Sequence, residues 1–166
     1  MQRRGFSTLG SCLLAALCAL PLVQAAQPQD APVKVEGAWV RSTVPGQQGT
    51  GAFMTVTAAR PMKLVGVATP VAGAAEVHEM KMQDDVMIMR PVRALDLPAG
   101  QPVQLKPGGY HIMLQDLKQP LPKESVVALT LFFSDAQGVR SRLELKLPVA
   151  LQAPAAPAPA AADAKR

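Results

Sequence analysis

The chain has 166 residues, with 17 basic and 12 acidic side chains, two histidines, two cysteines, 16 prolines and 12 glycines. That length fits one domain, and basic residues scattered among few aromatics exclude a nucleic-acid-binding face, which needs clustered charge and stacking rings. Both cysteines, Cys12 and Cys18, lie within residues 1–25, so the rest of the chain excludes disulfides, iron–sulfur clusters and thiolate copper sites.

Residues 1–25 read as a secretory signal. Arg3 and Arg4 form the basic start, an apolar run follows from Leu9 to Val23, and cleavage is expected after Ala25. Arg3-Arg4-Gly5-Phe6 has a faint twin-arginine look, but the plain secretory reading is preferred. Leu9-Gly10-Ser11-Cys12 loosely resembles a lipoprotein cleavage site, yet the apolar run comes after it, which argues against lipidation. Removing the leader leaves 15 basic and 12 acidic residues, a net charge of +3. No second apolar segment follows, so no stable membrane insertion is expected after cleavage, and the periplasm is the expected destination.

Residues 26–32 read as a flexible lead-in. Residues 33–40 alternate apolar and polar side chains before a bend, as a half-buried strand does. Residues 42–50, with Pro45, Gly46 and Gly49, read as a loop. Strands are expected at 52–57, 63–68, 76–82 and 86–92, the last two separated by a short acidic turn. Residues 103–105 are extended between two Pro/Gly turns, and strands follow at 111–117, 125–133 and 139–149. No sustained helical period is present. Short strands with regular Pro/Gly punctuation imply an all-β sandwich or barrel over residues 33–149. The Ala/Pro-rich stretch 150–166 reads as a disordered tail.

Both histidines and five of the eight methionines fall between His78 and Met113. Side chains two apart on a strand share a face, so His78, Met80 and Met82 point one way, as do Met87 and Met89. If Asp84 and Asp85 form a two-residue turn, Met82 faces Met87, Met80 faces Met89, and His78 lies diagonal to Met89, about 7–8 Å away. His111 and Met113 also share a face, while Ile112 and Leu114 turn to the core. Two imidazoles and at least two thioethers thus converge on one point. Such a set is soft and uncharged, which suits Cu(I) better than Zn(II) or Cu(II). Met54 and Met62 read as core fillers, Trp39, Phe53, Phe132 and Phe133 as core, and Glu76 and Glu79 as solvated charges.

The order His78, ten residues, Met89, twenty-one residues, His111, one residue, Met113 resembles the signature of the PCu(A)C family of periplasmic copper chaperones. Ala38-Trp39-Val40-Arg41 and Pro107-Gly108-Gly109-Tyr110-His111-Ile112-Met113-Leu114 agree with it, and the resemblance spans about residues 33–149. It implies a cupredoxin-like Greek-key β-sandwich in which a β-hairpin carries part of a Cu(I) site of His78, Met89, His111 and Met113. It further implies delivery of copper to the CuA centre of a cytochrome oxidase, directly or through a Sco-type protein. Met80, Met82 and Met87 would form a soft docking rim. The tail lacks the histidines and methionines with which some relatives bind a second copper, so one Cu(I) per chain is expected, on a monomer. A copper buffer without a dedicated acceptor is the alternative. An enzyme or electron carrier is disfavoured, because cupredoxin electron-transfer sites use a thiolate.

Overall fold

The computed structural model describes residues 29–154; the expected leader at 1–25, residues 26–28 of the lead-in and residues 155–166 of the tail lie outside the described residues. Eleven strands occupy this span: β1 (Gln29–Asp30), β2 (Val33–Arg41), β3 (Gly49–Ala58), β4 (Met62–Ala68), β5 (Ala72–Gln83), β6 (Val86–Pro91), β7 (Leu95–Leu97), β8 (Pro102–Leu105), β9 (Tyr110–Leu117), β10 (Val126–Asp135) and β11 (Arg140–Ala150). There is no helix among the described residues, hence none long and apolar enough to cross a membrane.

The strands form two layers. One has the order β6-β5-β9-β3-β2, with β8 also beside β3; the other has the order β11-β10-β4-β7, with β1 beside β11. Strand β11 joins them. Its first nine residues pair with β10, and Val149 and Ala150 then pair in parallel with Val40 and Arg41 of β2. The chain crosses between layers after β1, β3, β4, β6, β7 and β9. The result is the expected all-β, cupredoxin-like Greek-key sandwich.

The core lies between the layers and is built by alternation. Ala52, Met54, Val56 and Ala58 of β3, Ile112 and Leu114 of β9, and Leu129, Leu131 and Phe133 of the β10 layer all turn inward and are buried. Each large apolar side chain buried here contributes about 1.5–3 kcal/mol from removal of apolar surface from water. Met54 and Met62 belong to this core, as read from the sequence.

Three local features depart from the expected elements. Residues 29–31, expected as part of a flexible lead-in, instead add to the sheet: Gln29 and Asp30 pair with Ser141 and Arg142, and the Ala31 N–H donates to the Arg142 carbonyl at 3.1 Å. Strand β3 begins at Gly49, inside the expected loop, because Gly49 to Ala52 pair with Gln115 to Ile112 of β9. In β2 the pairing shifts between Glu36 and Trp39, around Gly37 at φ +59°. This bulge inverts the alternation. Val33 and Val35 face inward before it, Ala38 and Val40 after it, and Trp39 is turned to the outer face.

Candidate metal centre

Asp84 and Asp85 both adopt positive φ, +49° and +60°. That is the type I′ geometry whose twist matches a two-residue hairpin. The turn fixes the register of β5 and β6: Met82 pairs with Met87, Met80 with Met89, and His78 with Pro91. On its other side β5 pairs with β9, placing His78 opposite His111 and Glu76 opposite Met113. His78 is therefore a hub. His111 lies directly across on one strand, Met113 is its diagonal neighbour there, and Met89 is its diagonal neighbour on the other. The four residues singled out by spacing share one patch on the outer face of the sheet.

The two imidazoles are buried, His78 at 7% and His111 at 5% exposure, with ring centroids 6.0 Å apart in an edge-on arrangement. Their hydrogen bonds define the tautomers. His111 Nδ1 lies 3.0 Å from the Gly109 carbonyl. A carbonyl only accepts, so Nδ1 carries the proton and Nε2 keeps the free lone pair. His78 Nε2 lies 3.1 Å from the Glu76 carboxylate, which again only accepts, so here Nε2 carries the proton. The lone pair of His78 sits on Nδ1, which is buried with no hydrogen-bond partner among the described residues. A buried acceptor left without a partner costs about 1–3 kcal/mol. A metal ion would relieve that cost, so this donor set fits one. The pattern is also that of metal-binding histidines, whose second nitrogen is tied to a carboxylate or carbonyl.

The Gly109 carbonyl serves twice, since the Met80 N–H also donates to it at 3.1 Å. It is presented by the turn at Pro107 to Gly109, where Gly108 takes φ +80°, a conformation favourable to glycine.

Beside the histidines is an open groove of about 420 Å³, lined among others by His111, Met80, Met89, Met113, Phe53 and Gly51. Two glycines of β3 keep it open. A Cβ on Gly49 would meet the Met113 Cε at 3.0 Å, and one on Gly51 would meet the Phe53 ring at 2.6 Å. Phe53 and Trp39 are buried, as expected, but on the outer face rather than in the core. They stack at 4.8 Å, Phe53 approaches the His111 ring at 6.5 Å, and the Arg41 guanidinium lies 5.4 Å above Phe53. They form an apolar wall that lowers solvent access. Phe133 is core, but Phe132 is 39% exposed and lies against Gly66 on the opposite outer face.

Met80 is half-buried at the groove, whereas Met82, Met87 and Met89 are 59%, 48% and 46% exposed. Among the described residues no three of His, Cys, Asp and Glu come together as a metal site, and the further soft donors beside the two histidines are thioethers. Tyr110 lies opposite Glu79 on the other face of the sheet from the patch. The Glu79 carboxylate accepts from its hydroxyl and, with burial second, raises the phenol above its ordinary value of 10.0.

Several contributors were not read from the sequence: Glu76 as the partner of His78, the glycines of β3, and the aromatic wall. Glu76 carried a signal, because it lies two residues before His78 and so shares its face.

A family model of LpqE-like lipoproteins matches residues 33–149. The chain belongs to the LpqE-like family. This LpqE-like chain is 32% identical over 122 residues to Lxx21020, a protein named as a lipoprotein from Leifsonia xyli subsp. xyli, covering 71% of this chain and 74% of that one. Among solved structures it is similar to CuI-DR1885 of Deinococcus radiodurans, with 33% identity, a TM-score of 0.53, and coverage of 78% and 85% of the two chains. It also matches the copper-bound PCuAC domain of PmoF2, at 23% identity with a TM-score of 0.58, over 78% of this chain and all of that domain. The second likeness concerns the fold alone. Together with the family match, these likenesses agree with the PCu(A)C resemblance carried by the sequence.

Proposed function

We propose that this LpqE-like protein is an exported, monomeric Cu(I) carrier of the periplasm that is not an enzyme. It holds one copper ion with His78, Met89, His111 and Met113. Met80, Met82 and Met87 line the approach used by a partner. Copper passes to the CuA site of a respiratory oxidase, directly or through a Sco-type protein. The observation that carries the reading is the His78 Nδ1 lone pair, buried without a partner among the described residues on a ring 6.0 Å from the second oriented imidazole, on the face that carries the thioethers. The Cu(I) form of the Deinococcus relative and the lipoprotein names of the relatives support the metal and the export. Binding and release need no redox change, because the ligands are neutral and soft.

The test is a competitive Cu(I) titration followed by transfer to an apo oxidase CuA domain. One Cu(I) should bind tightly per chain, with Zn(II) far weaker. His111→Ala and Met89→Ala should each weaken binding by about tenfold or more, and Met54→Leu, a core change, should not. A variant lacking all four side chains that still binds one Cu(I) with parental affinity overturns the site. Copper retained in the presence of the acceptor domain identifies a buffer instead of a carrier.

A further inference from the structure

The register of the hairpin places four thioethers on one surface in two directly opposed pairs, Met80 with Met89 and Met82 with Met87. Only one of these, Met89, belongs to the four-residue centre. We propose that the hairpin carries a second, weaker Cu(I) site made of thioethers alone, with Met82 and Met87 at its outer end, through which copper enters and leaves the histidine centre. This inference rests on the copper-carrier reading.

Directly opposed residues on antiparallel strands have Cβ atoms about 4.5–5.5 Å apart. A methionine side chain is long and unbranched with three rotatable bonds. Two such arms can therefore close on one ion between them, and the next pair along the strand supplies a third sulfur. Exposure falls steadily inward along this track: Met82 and Met87 are 59% and 48% exposed, Met89 is 46% exposed, Met80 is half-buried, and His78 and His111 are buried. Copper arriving from solvent meets sulfur first and nitrogen last.

The two faces of the hairpin differ sharply in chemistry. The opposite face carries Glu79, Lys81, Gln83 and Arg90 beside Val86 and Ile88, with the Arg90 guanidinium donating to Gln83 at 2.8 Å. On the thioether face the described hairpin strands carry one charged side chain, Glu76, which is occupied with His78, and Arg41 of β2 lines the adjoining groove. Methionines serving as apolar filler would be buried, as Met54 and Met62 are at 3% and 4% exposure. Exposed methionines gathered on one face instead supply soft ligands. Movement along the track is ligand exchange. A bond from copper to one sulfur or nitrogen forms as another breaks, copper stays Cu(I), and no proton moves at the thioethers.

The test uses the exported chain and Cu(I) in competition with a chromophoric chelator. The His78→Ala/His111→Ala variant should keep one residual Cu(I) site, about 100-fold weaker than the parent. Its affinity should be flat from about pH 6 to 8, since thioethers do not titrate there, and X-ray absorption should show a sulfur-only shell. Adding Met82→Leu and Met87→Leu should abolish it. In the histidine-intact chain, the same two leucines should slow copper loading by about tenfold, and Met54→Leu should not. No residual site in the histidine variant, a residual site indifferent to Met82 and Met87, or an unchanged loading rate overturns the proposal. A parent chain that binds no Cu(I) is a failure of the carrier reading itself, which the first titration detects separately.

Discussion

Glu76 holds His78 from the same face of the sheet, opposite Met113, and its removal should be felt where a metal would sit. Glu76→Leu deletes the acceptor of the Nε2–H bond at 3.1 Å. A hydrogen bond to a charged group is worth about 1.5–3 kcal/mol when shielded. The Glu76 side chain is 55% exposed, and solvent screening takes the value to the low end or slightly below. About 1.4 kcal/mol corresponds to tenfold in affinity. Glu76→Leu should therefore weaken Cu(I) binding by about tenfold, while Glu76→Gln, which keeps a neutral acceptor in place, should cost about threefold. Nitrogen-15 shifts of the apo protein give an independent reading. The parent His78 ring should be protonated at Nε2, and Glu76→Leu should mix the two tautomers. If Glu76→Leu leaves both the affinity and the His78 tautomer unchanged, the reasoning fails at its first step.

Two further outcomes test the surroundings. Gly51→Ala puts a Cβ at 2.6 Å from the Phe53 ring; the ring must move, at a cost of about 1–3 kcal/mol, so the melting temperature should drop and Trp39 fluorescence should change through the Trp39–Phe53 stack. Unaltered fluorescence and melting would place Phe53 elsewhere. Tyr110 titrates above 10.0, chiefly because Glu79 accepts from its hydroxyl. A folded-state value raised above the unfolded one means that this contact stabilises fully below pH 10 and is lost as pH rises through the raised value. Ultraviolet titration of the phenol should show Glu79→Gln bringing it back towards 10, and a Glu79→Gln curve identical to the parent's would contradict the contact.

The hairpin was the most legible part of the molecule. Asp84 and Asp85 between two runs of alternating methionines admit one favourable turn, and a slip of one residue would send the thioethers to opposite faces. The juxtaposition of His78 with His111 was less accessible, because it depends on β5 pairing with β9 across a gap in sequence. The bulge at Gly37 shows why Trp39 was misplaced: a strict period of two holds only until an extra residue is inserted. Phe53 was ambiguous for another reason. Ala52, Phe53 and Met54 form a continuous apolar run, and a run that packs on both faces carries no alternation to read. Strand β7 is only Leu95–Leu97, caught between Pro91 and Pro98, too short to leave a periodic signal.

Strand β11 has a consequence for how the molecule is made. It lies beside β1 and the end of β2, so β1 finds its partner only in the last strand, while β2 pairs along most of its length with β3 and meets β11 only at Val40 and Arg41. A chain emerging with its amino end first exposes residues 29–31 and the end of β2 long before residues 140–150 exist to receive them. Neither layer can be joined to the other until β11 arrives, and pairings this distant in sequence form slowly. The sandwich therefore closes late, once β11 has joined the two layers. The patch of His78, Met89, His111 and Met113, built from β5, β6 and β9, is complete in sequence well before that closure, but its backing in the core is not.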